Sequence, residues 1–295
     1  MTQAEAEPGV ILLRPCPALW EMEQMLMTTR SRSVQQIFND RDKMLAENKA
    51  MVRRRVEPHN PLHADLPDGA WAGEPCFLIG GGPSLIGFDF ERLRGRGRVI
   101  AINRAYEFIP WADLLFFMDW KFYKLYHNGT AKVETWNSFK GYKVFLNLIG
   151  RLLEDCYSVR SLGRSGVSHS HKSGLYHGNN SGFGALQLAV CLGARPIYLL
   201  GYDMGESDTG LAHFHSGYGA RERPTVSKSF VRDFEIVAKQ LTKIPDIYNL
   251  NPKSGLRIFP FKSVEEVLNG SARESLGNDS HPVQESVLLD SPASN

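Results

Sequence analysis

Short, wholly apolar runs alternate with longer amphipathic stretches through the middle of this chain, and that rhythm predicts strand–helix alternation. The apolar runs Cys76–Ile79, Val99–Asn103, Leu114–Met118 and Lys143–Asn147 read as four successive strands. A loop rich in Gly, Ser and His follows. Then come a helical pattern over Gly182–Leu192, an apolar strand over Pro196–Leu200, a helix over Val226–Thr242 and a last strand over Ile247–Leu250. Strands that are continuously apolar, rather than alternating, are buried on both faces. The pattern therefore predicts an α/β fold with a Rossmann-like, mostly parallel sheet and helices on both faces.

The flanks have a different texture. From about Leu19 to Val56 the chain lacks glycine and proline, and Leu19, Met22, Met25 and Leu26, then Val34, Ile37 and Phe38, fall at helical spacing. This segment ends in Arg53-Arg54-Arg55, a solvated helix end or a contact to an anionic partner, before the linker Glu57-Pro58-His59-Asn60-Pro61. From Gly270 the chain is rich in Ser, Asn, Glu and Pro and has little to bury. The reading is a flexible N-terminus over 1–18, a helical extension and linker over 19–70, the main domain over 71–269 and a disordered tail over 270–295. The amphipathic extension suits self-association or packing on the main domain.

Composition narrows the class. Hydrophobic residues make up 42% of the 295 residues and charged residues 22%, enough for a real core, and the formal net charge of +2 is too mild to mark a nucleic-acid binder. Arg53–Arg55 and that small positive charge are the only features in favour of nucleic acid. Cys16, Cys76, Cys156 and Cys191 form no CxxC pair, so buried thiols are expected rather than disulfides or a zinc site. No apolar run approaches the ~20 residues that span a bilayer, and the polar start Met1-Thr2-Gln3-Ala4-Glu5 is unlike a signal peptide. A cytoplasmic protein with no membrane partner is expected.

Ligands of open α/β sheets sit beyond the carboxyl ends of the strands. Collecting the residues there gives the turn Gly80-Gly81-Gly82-Pro83-Ser84, then Asn103-Arg104, Asp119-Trp120 and Gly201-Tyr202-Asp203. A strand running into glycines leaves backbone amides at a site where phosphate groups are held. The turn is not a P-loop, since no Gly-Lys-Ser/Thr follows, and it is not GxGxxG, since Leu85 occupies the third glycine position. Asn103 can serve a ribose hydroxyl or a base edge, or cap the next helix. Asp119 and Asp203 can position a hydroxyl, bind a cation or cap helices, but two carboxylates are too few to predict a metal site. In Asn179-Asn180-Ser181-Gly182, Asn180 or Ser181 is the expected N-cap of a helix whose positive end faces the same rim.

Histidines gather in two places: His169, His171 and His177 in the loop before that helix, and His213-Phe214-His215 after the Asp203 turn. A histidine set to deprotonate an acceptor hydroxyl is the simplest use of the second group. Arg221, Arg223 and Lys228 follow Gly217 and Gly219, as in a basic loop that closes over an anionic donor. Tyr202, Tyr218 and Tyr248 are candidate phosphate or acceptor contacts.

Four stretches in this order resemble a known pattern: Ile79-Gly80-Gly81-Gly82-Pro83-Ser84-Leu85, Ala101-Ile102-Asn103, Asn180-Ser181-Gly182, and Ile197-Tyr198-Leu199-Leu200-Gly201-Tyr202-Asp203. They are similar to bacterial sialyltransferases that use a CMP-activated sugar. They are also similar to a wider superfamily with archaeal 6-hydroxymethylpterin diphosphokinases, flagellin-glycosylating motility accessory factors and phage-encoded members. The resemblance spans about Cys76 to Leu268 and includes Tyr248-Asn249-Leu250-Asn251-Pro252. By position it implies nucleotide contacts at Gly81, Gly82, Ser84 and Asn103 and donor contacts at Ser181 and Gly182; with their neighbours, the candidate nucleotide site is Gly80, Gly81, Gly82, Pro83, Ser84, Asn103, Asp119, Asn180, Ser181 and Gly182. It also implies a base at His213 or His215; the candidate catalytic residues are His213, His215 and the strand-end carboxylate Asp203. The chain departs from the sialyltransferases in having Gly81 where they usually carry Asn, and Asp119 where they carry another polar side chain. An Asp at that position suits the diphosphokinase branch, where it could help hold Mg2+ against ATP phosphates.

Three readings follow. The first is a glycosyltransferase that passes a sugar from a nucleotide-sugar donor to an unidentified hydroxyl acceptor. The second is a Mg2+-dependent diphosphokinase that uses ATP, Asp119 and Asp203 on a hydroxymethyl acceptor. The third is a non-catalytic nucleotide-binding accessory protein, for instance of a phage acting in its bacterial host.

Overall fold

The run Cys76–Ile79 (β1) shows why these segments become central strands. All four side chains are buried, and they alternate between two cores: Cys76 and Leu78 face one, Phe77 and Ile79 the other. A slip of one residue would exchange the two sets, so register is fixed by burial on both faces. In the computed structural model, which describes residues 60–127, 132–148, 150–151, 153, 155–205, 211–215, 224–244 and 246–269, β1 lies inside an eight-stranded sheet. The other strands are Arg98–Ile102 (β2), Leu114–Phe117 (β3), Tyr142–Asn147 (β4), Tyr157–Gly163 (β5), Leu175–Tyr176 (β6), Ile197–Leu200 (β7) and Ile247–Asn249 (β8). Their order is β6-β5-β4-β3-β2-β1-β7-β8, and every adjacent pair is parallel. All these residues belong to the second of two units into which the chain divides, Glu57–Asn295. The predicted helical extension up to His59, with Arg53–Arg55, lies outside the described residues. So do Tyr218, Arg221, Arg223 and the tail over 270–295.

Helices cover both faces, as the apolar runs predict. On one face Trp120–His127 (α1) and Val133–Ser138 (α2) join the turn Asn103–Glu107 in an aromatic core. Trp136 is its centre: 1% exposed, stacked on Tyr126 at 5.2 Å and packed edge-on against Tyr106, Phe117 and Tyr123. On the other face lie Ser181–Cys191 (α3), Pro224–Ile236 (α4) and Ala238–Leu241 (α5), over a mostly aliphatic core. Gln187 is buried in α3 because its amide is satisfied: it accepts from the Ser168 amide at 2.7 Å and donates to the Gly166 carbonyl at 3.0 Å. Cys76, Cys156 and Cys191 are free, buried thiols, and burial pushes the Cys191 thiol up to about 12. No helix among the described residues is long and apolar enough to cross a membrane.

Two expectations need correction. The stretch read as a Gly, Ser and His loop contains β5 and β6. β5 escapes the apolar pattern because it sits next to the short edge strand, with Arg160 exposed at its middle and bonded to the Ser173 carbonyl at 2.7 Å. The helix expected over Val226–Thr242 is two helices, α4 and α5, parted at Val237 (φ −111°, ψ 11°), whose side chain enters the core.

Replacing Trp136 by Ala removes the largest side chain of the aromatic core and should cost about 3–5 kcal/mol in urea unfolding. Trp136→Phe should retain most of that stability. A loss below about 1 kcal/mol for the alanine variant would show that the cluster does not hold the sheet's aromatic face.

Candidate functional site

Strand order reverses at β1. The chain steps outward from β1 through β2 to β6 in one direction and then places β7 and β8 on the other side. Such a switch point opens a crevice at the strand carboxyl ends. Here it is a cavity of about 640 Å³, lined by the ends of β1, β2, β3 and β7, the start of α3 and residues 212–215. Of the strand-end and helix-start candidates and the His213–His215 pair, Gly80, Gly81, Gly82, Pro83, Asn103, Asp119, Asn180, Ser181, Gly182, Asp203, His213 and His215 line it, and Ser84 does not.

The glycine turn works differently from the expectation of bare amides. The Gly80 amide donates to the Leu200 carbonyl at 2.8 Å, the Gly82 amide to the Gly201 carbonyl at 2.9 Å, and the Ser84 amide to Asp203 Oδ2 at 2.6 Å. The glycines are needed because β7 runs into the turn at close range. A Cβ on Gly80 would stand 2.6 Å from the Gly201 carbonyl oxygen, and one on Gly82 would stand 2.5 Å from Asp203 Cγ. Asp203 is the hub. Besides the Ser84 amide it accepts the Ser84 hydroxyl at 2.6 Å and the Asn251 side-chain amide at 2.8 Å, and its backbone carbonyl accepts from Gly255. Ser84 thus stands behind the cavity wall, holding Asp203.

Asn103 follows β2 in the left-handed region (φ 52°), which Asn tolerates better than most residues, and its Oδ1 accepts the Ser181 hydroxyl at 3.5 Å. Asn180 is the N-cap of α3: its side chain accepts from the Gly182 and Phe183 amides. The Tyr202 hydroxyl, buried and pushed well above its ordinary range by that burial, donates to the Gly182 carbonyl at 2.9 Å. It locks the start of α3 to the end of β7, and Tyr202 also lines the cavity. Tyr248 bonds Asp246 on β8, away from the cavity lining. Asp119 is exposed and accepts from the Lys121 amide at the start of α1, which is the capping role.

The two histidine groups separate cleanly. His171 is buried between Asp68 and the Leu66 carbonyl, and His177 accepts from the Asn179 amide, so both support loops. His213 and His215 line the cavity with their rings parallel, 5.4 Å apart at 4°. Between them the Phe214 amide donates to the Gly81 carbonyl at 3.0 Å, pinning the segment to the glycine turn. His213 Nδ1 lies 3.1 Å from where a Gly81 Cβ would stand. Phe108 stacks on His215 at 6.0 Å. Burial, then the charges of His213 and Arg104, lower the His215 imidazole to about 4, with Glu107 acting the other way.

Several lining residues had no assigned role in the sequence: Met118, Lys121, Met204, Phe230 and above all Arg104. The Arg104 side chain, 15% exposed, pairs with Glu107, which is 2% exposed, and Glu107 also accepts the Tyr126 hydroxyl at 2.7 Å. Arg104 directly follows Asn103 at a strand end, and that was the available signal. Lys228 is exposed and outside the lining.

Gly82→Ala should displace Asp203, cost about 1–3 kcal/mol in denaturant unfolding and loosen the rim. Unchanged stability would show that the turn adapts. Acid should also weaken the fold through His215. Its folded value of about 4 lies below the ordinary 6.5, so the unfolded chain binds the extra proton between those values. Its contribution is fully present above 6.5 and is lost as pH falls through about 4; buried His171 and half-buried His177, also lowered, act with the same sign. His215→Phe should therefore lose less melting temperature than the parent between about pH 7.5 and about pH 5. Equal losses would contradict the burial of His215.

No family model matches the chain, and no curated protein matches it. Among solved structures it is similar to the sialyltransferase CstII from Campylobacter jejuni in complex with a substrate analogue, cytidine-5'-monophosphate. The identity is 15% and the TM-score 0.38, over 65% of this chain and 86% of that one.

Proposed function

We propose that the protein is a glycosyltransferase that takes a nucleotide-sugar donor in the switch-point cavity and passes the sugar to an acceptor hydroxyl. The observation that carries this reading is the stacked His213–His215 pair, pinned to the glycine turn at the cavity wall and held uncharged at its His215 ring near neutral pH. An uncharged imidazole at the cavity wall is a proton acceptor within reach of a bound hydroxyl. In the step envisaged, the acceptor oxygen bonds the sugar's anomeric carbon while the bond from that carbon to the phosphate oxygen breaks. The nucleotide phosphate leaves with the electron pair, and the hydroxyl proton passes to the imidazole pair. A cavity of about 640 Å³ is in the range that encloses a ligand of this size.

The diphosphokinase reading draws less support, because Asp203 is committed to Ser84 and Asn251 and Asp119 to the start of α1. A non-catalytic nucleotide-binding protein would use the same cavity without needing the histidine pair. Thermal melts of the full chain separate these readings. CMP or UDP should raise the melting temperature in EDTA. Protection only by ATP with Mg2+ would overturn the proposal in favour of the kinase. Once a donor is found, His213→Ala and His215→Ala should together lower turnover by about 100- to 10,000-fold and leave donor binding intact. Full turnover in the double variant would remove the pair from the reaction.

A further inference from the structure

The cavity is built at strand ends, yet amides of the glycine turn and of the start of α3 are turned inward. Those of Gly80, Gly82 and Ser84 donate to the β7 end, and those of Gly182 and Phe183 donate to Asn180. An acid group in this cavity therefore needs side-chain charge, and the lysine of a phosphate loop is absent from the turn. Among the described lining residues, Arg104 and Lys121 carry positive charge. Lys121 is exposed on α1, where its backbone amide donates to Asp119. Arg104 is held. Its Nε lies 2.7 Å from Glu107 Oε1 and its Nη2 donates to Oε2 at 3.0 Å, while Glu107 is fixed from behind by Tyr126.

We infer that Arg104 is the residue that receives the phosphate of the bound nucleotide, which deepens the function proposed above and rests on it. A guanidinium is a planar fork of five N–H donors, so its grip on Glu107 fixes the plane that it presents to an oxyanion. Burial strengthens such a contact, because water competes little at a group this enclosed. Asn103 and Arg104, consecutive at the end of β2, then divide the work: the amide reaches Ser181 at the start of α3 and the guanidinium serves the acid group. Glu107, with its carboxylate shared between Arg104 and Tyr126, is a positioning residue.

Calorimetric titration of the full chain with inorganic pyrophosphate, CMP and uncharged cytidine tests this. Arg104→Met should weaken pyrophosphate and CMP by about 10- to 100-fold while cytidine binding stays unchanged, and Arg104→Lys should recover part of the loss. Since Arg104→Met strands Glu107 without its counter-charge, Arg104→Met/Glu107→Gln is measured beside it, with near-ultraviolet circular dichroism to confirm the fold. The double variant should show the same selective loss. Pyrophosphate and CMP binding within about twofold of the parent in both variants would overturn the role of Arg104 and leave the proposed function standing. A parent chain that binds none of the three ligands would overturn both.

Discussion

The contact between the end of β1 and the end of β7 is the constraint on which the rest of this site depends. Two strands that diverge in the topology must lie side by side, and their loops must then share one small volume. Gly80 and Gly82 make that volume, and Asp203 fills it by gathering the Ser84 amide and hydroxyl and the Asn251 side chain. Tyr202, next in chain to Asp203, reaches the start of α3, and Gly81 offers its carbonyl to the histidine segment. Four separate pieces of chain are thereby referred to one carboxylate and two missing side chains.

This arrangement changes what the glycines mean. Gly-rich turns after a first strand are associated with anions because of their amides, but here the amides close the molecule on itself. Their contribution to a ligand is space and shape. On the function proposed above, charge comes from the neighbouring strand end, where Arg104 is anchored, and proton chemistry from residues 213–215, which bond the turn through the Phe214 amide.

Much of the scaffold was legible in the sequence because its central strands are buried on both faces. Cys76–Ile79, Leu114–Phe117 and Ile197–Leu200 have no polar residue to confuse the pattern. β5 was hidden because it borders the edge, where Arg160 and Ser161 are tolerated, and β6 because two residues carry no period. The cavity's membership was legible too, since parallel topology dictates that strand ends converge; the roles were less so. A glycine needed to avoid the Gly201 carbonyl and one that exposes an amide look the same in sequence. Asp203 looks the same as a catalytic carboxylate, although it is a structural hub. His171 and His215 differ only in three-dimensional company: Asp68 and a carbonyl for one, a second imidazole and Phe108 for the other.

The two faces of the sheet also supply different parts of the site. The aliphatic face carries α3, whose capped start presents Ser181 to Asn103, and it is locked by Tyr202. The aromatic face carries Tyr126, which stacks on Trp136 and packs on Tyr106 while its hydroxyl holds Glu107, which in turn holds Arg104. One residue further along, Phe108 leaves the same turn to stack on His215. Arg104 is therefore referred to the aromatic core, and the start of α3 to the aliphatic one. Because the sheet between them is fixed in register by burial on both sides, the separation of Arg104 from the start of α3 is set by the fold.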